Sequence, residues 1–157
     1  MTSSATPETT TQVYRVYIKA TPEAIWEAIT KPEWTEKYFY GSRASYELRP
    51  GGRYESRGLA GEGDDVMVDG EVVEVDPPRR LVQTWRATWL GELATRITWD
   101  IREGQAGVST LTVTHDVTDA PNTAAQVSGA IEGAGGGWNE VLSGLKTLLE
   151  TGKPLFS

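Results

Sequence analysis

The chain has 157 residues, no cysteine and a net charge of −7 from 15 basic and 22 acidic side chains. That length suits a single domain that buries roughly 70% of its unfolded surface, and the missing cysteines exclude disulfides and thiolate metal centres. The acidic balance argues against nucleic acid as a partner, and no apolar run approaches the roughly 20 residues of a membrane span.

Residues 1–12 are rich in Thr and Ser and lack an apolar core, so a disordered tail is expected there rather than a secretory signal. Residues 13–19 alternate Tyr14, Val16 and Ile18 against Val13, Arg15, Tyr17 and Lys19, which predicts a strand. Thr21-Pro22 then supplies an N-cap and a first helical residue for a helix carrying Ile25, Trp26 and Ile29 on one side. Lys31-Pro32 interrupts that helix and restarts a short second one over 33–38, bearing Trp34 and Tyr38. Strands are expected over 45–49 and 53–57, joined by Pro50-Gly51-Gly52. A Gly- and acid-rich stretch over 58–65 reads as a loop, and 66–75 as a long strand with Gly70 a candidate bulge. Two more strands, 81–89 and 93–102, meet at Leu90-Gly91-Glu92, and a last one covers 108–117. No helix intervenes between these short turns, so the sheet is antiparallel. Finally, Trp138, Val141, Leu142, Leu145, Leu148 and Leu149 recur at helical spacing until Gly152 and Pro154 end the helix.

The order strand, two short helices, six strands and long helix is similar to the START/Bet v-like (SRPBCC) superfamily. Residues 16–40, VYIKATPEAIWEAITKPEWTEKYFY, resemble the opening of the bacterial Hsp90 ATPase activator homologue-like (AHSA-type) family. So do PGGRY at 50–54, GEVVEVDPPRRLVQTW at 70–85, and Gly137-Trp138 leading into a Leu-rich helix. The resemblance covers roughly residues 13–150. It implies an α+β helix-grip fold, a curved antiparallel sheet wrapped around a long C-terminal helix, and one START/Bet v-like domain over 13–157. It implies a container for apolar or amphipathic molecules and carries over no catalytic motif, cofactor or metal site. A cytoplasmic location fits the lack of cysteine, and the oligomeric state stays open, a homodimer included.

In such a fold the inward sheet face is chosen by alternation. It comprises Leu81, Gln83, Trp85 and Ala87, then Ile97, Trp99 and Ile101, then Leu111, Val113 and His115, with Tyr54, Ser56, Val66 and Val68 as companions. Trp138, Leu142 and Leu145 close from the long helix, and Trp34, Tyr38 and Phe39 from the helical pair. The candidate ligand-binding residues are therefore Trp34, Tyr38, Phe39, Tyr54, Gln83, Trp85, Trp99, Val113, His115, Trp138 and Leu142. A solid core would use the same apolar residues, so the polar ones carry more information. Gln83 needs buried partners, which backbone or ligand can supply. His115, the sole histidine, is either a general base or a satisfied core residue. Asp116 points to the opposite face and would not orient it. The glycine run at 133 and 135–137 either adjusts the cavity mouth or is a plain loop before a helix beginning near Trp138. The acidic stretch 62–71 matches no calcium loop and reads as solvated surface. Non-catalytic binding of a small molecule leads. A polyketide-cyclase-like or dehydratase-like enzyme drawing on His115, Gln83 and Tyr54 comes second, and a chaperone ATPase cofactor third.

Overall fold

Thr21 caps the first helix of the computed structural model, which describes residues 11–59, 62–131 and 135–156. The Thr21 hydroxyl accepts the Ala24 amide hydrogen at 3.1 Å, a cap worth about 1 kcal/mol. This helix, α1 (Pro22–Thr30), follows strand β1 (Thr11–Ile18) and gives way at Pro32 to α2 (Pro32–Tyr38). Six strands come next: β2 (Arg43–Tyr46), β3 (Arg53–Leu59), β4 (Glu62–Asp76), β5 (Arg80–Ala87), β6 (Thr95–Glu103) and β7 (Ser109–Asp116). Helices α3 (Pro121–Ser128) and α4 (Gly137–Thr151) complete the order. The strands form one antiparallel sheet, β1-β7-β6-β5-β4-β3-β2, so the first strand returns to close against the last. This is the expected helix-grip α+β arrangement.

Several features differ from expectation, among them the second strand, expected over 45–49 and found at Arg43–Tyr46. Thr11 and Gln12 pair with Asp116 and His115, so the ladder begins before residue 13, and residues 1–10 of the expected tail lie outside the described residues. The expected loop over 58–65 is largely strand, with Leu59 paired to Glu62. Arginines on its flanks hold it: Arg43 donates to Gly63 O at 2.7 Å and Arg57 to Asp64 O at 3.1 Å. Gly70 is not the bulge, because the register of β4 against β5 shifts between Val72 and Glu74 instead. A side chain at Gly70 would collide with the Thr84 carbonyl, so the glycine permits close approach of two strands. Helix α3 has no apolar stripe and was not foreseen; only Thr123 and Val127 of it are buried.

The inward sheet face follows the alternation. Leu81, Gln83, Trp85, Ala87, Ile97, Trp99, Ile101, Leu111, Val113 and His115 are all buried. Trp138, Val141, Leu142, Leu145 and Leu148 bury the facing stripe of α4. Helix α4 packs on β1 at one margin of the sheet and on α1, α2 and α3. The other half of the sheet, β3 to β5, curls over its N-terminal end and leaves space between.

Candidate ligand-binding site

That space is a cavity of about 480 Å³. Tyr54 and Ser56 of β3, Met67 and Val68 of β4, and Trp85 of β5 form one wall, with Trp89 just past the end of β5. Gln126 and Val127 of α3 and Trp138 and Val141 of α4 form the other. Phe39, Tyr40 and Ser42, from the turn between α2 and β2, close one end. The strands present these residues by period-two alternation, and α4 presents Trp138 and Val141 one turn apart. Six aromatic rings and several aliphatic side chains make the lining predominantly apolar.

Of the residues expected to meet a ligand, Phe39, Tyr54, Trp85 and Trp138 line this cavity. Tyr38, Gln83 and Trp99 lie below its floor, around a void of only about 10 Å³. Val113, His115 and Leu142 are fully enclosed in the core. Trp34 lies on α2 away from the cavity, with the Lys37 ammonium 5.2 Å from its ring centroid. Tyr40, Ser42, Met67, Trp89, Gln126, Val127 and Val141 were missed. Trp89 offered a signal, since a tryptophan beside the Leu90-Gly91-Glu92 turn has no obvious core to join, and it remains 46% exposed.

The two polar residues singled out in the sequence, Gln83 and His115, are satisfied within the protein. Gln83 Oε1 accepts from Tyr46 Oη and from Trp99 Nε1, both at 2.8 Å. Trp138 Nε1, which can only donate, gives its hydrogen to His115 Nδ1 at 3.0 Å. His115 is therefore the neutral Nε2–H tautomer, donating to Thr95 Oγ1 at 2.7 Å, and Thr95 passes its own hydrogen to Trp85 O at 3.0 Å. Burial pushes the His115 pKa down to about 4, with Asp116 pulling weakly upward. Of the two readings of His115, the geometry fits the satisfied core residue and not the general base: both ring nitrogens are engaged and neither reaches the cavity. Asp116 does face outward, accepting from Thr118 N and Oγ1.

Among the described residues lining the cavity, the titratable groups are two tyrosines. Burial raises the Tyr54 pKa, with Ser56 and Trp85 partly offsetting it. Tyr40 is pushed up to about 12 by burial and by the neighbouring Glu140. Its hydroxyl accepts the Gly137 amide hydrogen at 3.0 Å. Both phenols stay protonated at neutral pH, and the Tyr40 hydroxyl donates its hydrogen to Gly137 O at 3.5 Å. Among the described residues no cluster of three or more His, Asp and Glu could hold a metal ion, and no helix is long and apolar enough to cross a membrane.

A curved antiparallel sheet closed on a C-terminal helix defines the helix-grip class of α+β domains. Within it, the family model for Activator of Hsp90 ATPase homolog 1-like protein matches residues 19–150, and the chain belongs to that family. The solved structures it resembles include CalU16 from Micromonospora echinospora, at 20% identity and a TM-score of 0.66, covering 90% of this chain and 77% of that one. A protein of the dynemicin biosynthetic locus, DynU16, matches at 25% identity and a TM-score of 0.70, over 94% of this chain and 49% of its own. The Aha1 dimer from Colwellia psychrerythraea matches at 22% identity and a TM-score of 0.66, over 91% of this chain and 98% of that one. No curated protein matches the chain.

Proposed function

We propose that this protein binds a small apolar or amphipathic molecule between β3–β5 and α4 and carries it without transforming it. The observation that supports this reading is the aromatic cavity of about 480 Å³, within the range that encloses most of a drug-sized ligand. Its polar groups are few, and the Tyr54 phenol, which stays protonated, is placed to orient a ligand. The phenols titrate too high to serve as bases at neutral pH, and the one histidine is spent on the core, which favours binding over catalysis. DynU16, a structural relative, belongs to a biosynthetic locus, a setting in which small molecules are handled. A role with Hsp90 draws on the descriptions of relatives alone, whereas the cavity is a feature of this chain.

Titration with saturated fatty acids, flavonoids and polyketide-like aromatics, followed by tryptophan fluorescence, tests the reading. Trp85, Trp89 and Trp138 line the cavity, so a ligand should shift or quench emission saturably. Val127→Phe, which thrusts a ring into the space, should weaken binding roughly tenfold, about 1.4 kcal/mol, without lowering the melting temperature much. Absence of saturable binding across the whole panel would sink the proposal.

A further inference from the structure

On the far side of Tyr40 from the cavity lies a second space, an outer groove of about 460 Å³ between α2, α4 and the C-terminal segment. Its floor is Gly144 and its rims include Lys37, Glu140, Leu155 and Phe156. Tyr40 is the one described residue that lines both spaces.

The way Tyr40 is held is unusual. Its φ of 54° places a non-glycine residue in the left-handed region, a conformation that persists only where surrounding structure enforces it. The strained turn, completed by Gly41 at φ 71°, aims the ring at the start of α4. There the hydroxyl accepts the Gly137 amide hydrogen at 3.0 Å and the ring lies flush on Gly135, where a Cβ would come within 3.1 Å of it. This amide belongs to the first residue of α4 and has no partner within the helix, so water can replace the phenol if the ring leaves. The same hydroxyl donates to Gly137 O at 3.5 Å and lies beside the Glu140 carboxylate, so it ties the ring to the first turn of α4.

We propose that Tyr40 sets the length of ligand this protein accepts: its ring is the partition between the inner cavity and the outer groove. With the ring in place a ligand ends at the cavity wall. With it gone, an extended apolar chain, an acyl tail for example, runs past Gly135 into the groove over Gly144 and beneath Leu155. The groove is apolar at Leu155 and Phe156 and charged at Glu36, Lys37 and Glu140, which suits the emerging end of an amphipathic molecule. The inference rests on the binding reading above and adds its specificity determinant.

The experiment measures dissociation constants for saturated fatty acids of increasing length with wild type, Tyr40→Gly, Tyr40→Asn and Tyr40→Phe. Glycine relieves the left-handed backbone and asparagine tolerates it, so at least one ring-deleted variant should keep the fold. Wild-type affinity should rise by up to about fourfold per methylene and then level off once the cavity is full. The ring-deleted variants should go on rising over several further methylenes, and Tyr40→Phe, which keeps the ring, should level off at the same chain length as wild type. Identical length profiles in wild type and a folded ring-deleted variant would overturn the partition while leaving the cavity reading intact. The partition also falls if the aromatic compounds bind and no fatty acid does. If nothing binds any of the proteins, the cavity reading fails and the partition fails with it.

Discussion

His115 shows how a single side chain can look catalytic in sequence and be architectural in space. Its chemistry is decided by Trp138 and Thr95, which come from α4 and β6, and neither partner can be inferred from strand alternation. Alternation did place His115 and Gln83 on the inward face, and both are fully buried there. What it could not resolve is depth, because residues beneath a cavity floor and residues lining it share the same period. The neutral, buried ring has a consequence for stability. With a folded pKa of about 4 against an unfolded value of about 6.5, the unfolded chain takes up a proton that the folded chain refuses across that window. Stability should therefore fall as pH drops from about 6.5 to about 4, by up to about 1.4 kcal/mol per pH unit from this group, and then level for it. No other histidine contributes. In His115→Gln, where an amide can still accept from Trp138 and donate to Thr95, denaturant unfolding should lose that part of the slope. Parallel pH profiles for the two proteins would refute the assignment.

Helix α3 is the element that sequence reading missed, and the reason is that its stabilisation is not written within it. Its eight residues present little apolar surface, and no side chain caps Ala120. The cap comes from Glu92, some thirty positions earlier in the turn between β5 and β6. Glu92 accepts from Asn122 N at 2.9 Å and from Thr123 N and Oγ1 at 2.7 and 2.8 Å. An acidic group at a helix N-terminus also meets the favourable end of the helix dipole. Desolvation raises the pKa of this carboxyl, but the four hydrogen bonds from Asn122 and Thr123 outweigh it and leave it below the usual range. Its contribution is thus present above the ordinary carboxyl pKa and lost as pH falls through the lowered one. By contrast α1 and α4 were legible, since their caps and apolar stripes are local. Glu92→Ala should speed hydrogen exchange of the α3 amides by several-fold while those of α4 past Leu142 stay protected. Equal exchange in α3 would show that packing of Val127, not the distant carboxylate, holds this helix.

At the scale of the whole molecule, the outer face of the sheet is laced with ion pairs. Arg86 grips both Asp69 oxygens at 3.0 and 2.7 Å, and Arg80 bridges Glu74 and Asp100. Exposed pairs of this kind are worth about 0–1 kcal/mol each, so the fold depends on the enclosed side. Leu145 sits at its centre, wholly buried on α4. Leu145→Asp should cost several kcal/mol and leave the chain unfolded at ordinary temperature, because the carboxylate would have no partner there. A cooperative melt like that of wild type would contradict the packing described. The antiparallel sense of the sheet, its inward face and helices α1, α2 and α4 were readable from pattern, while the overall helix-grip arrangement came from the family resemblance. A cavity between the sheet and the long helix was expected, but not which strands border it, since that depends on α4 settling over β1 and leaving β3–β5 uncovered, a matter of path rather than periodicity.

The indole of Trp138 faces the cavity with its ring and the core with its N–H. Trp85 likewise lines the cavity while its carbonyl accepts from Thr95. Descendants of this chain that diverge in what they hold are therefore constrained in the order of their changes. Met67 and Trp89 can drift singly, each altering the shape of the wall alone. Trp138 can be exchanged only together with His115 and Thr95, since losing the indole strands an imidazole nitrogen in a dry interior. Among relatives, these three positions should covary as a block while the rest of the lining wanders.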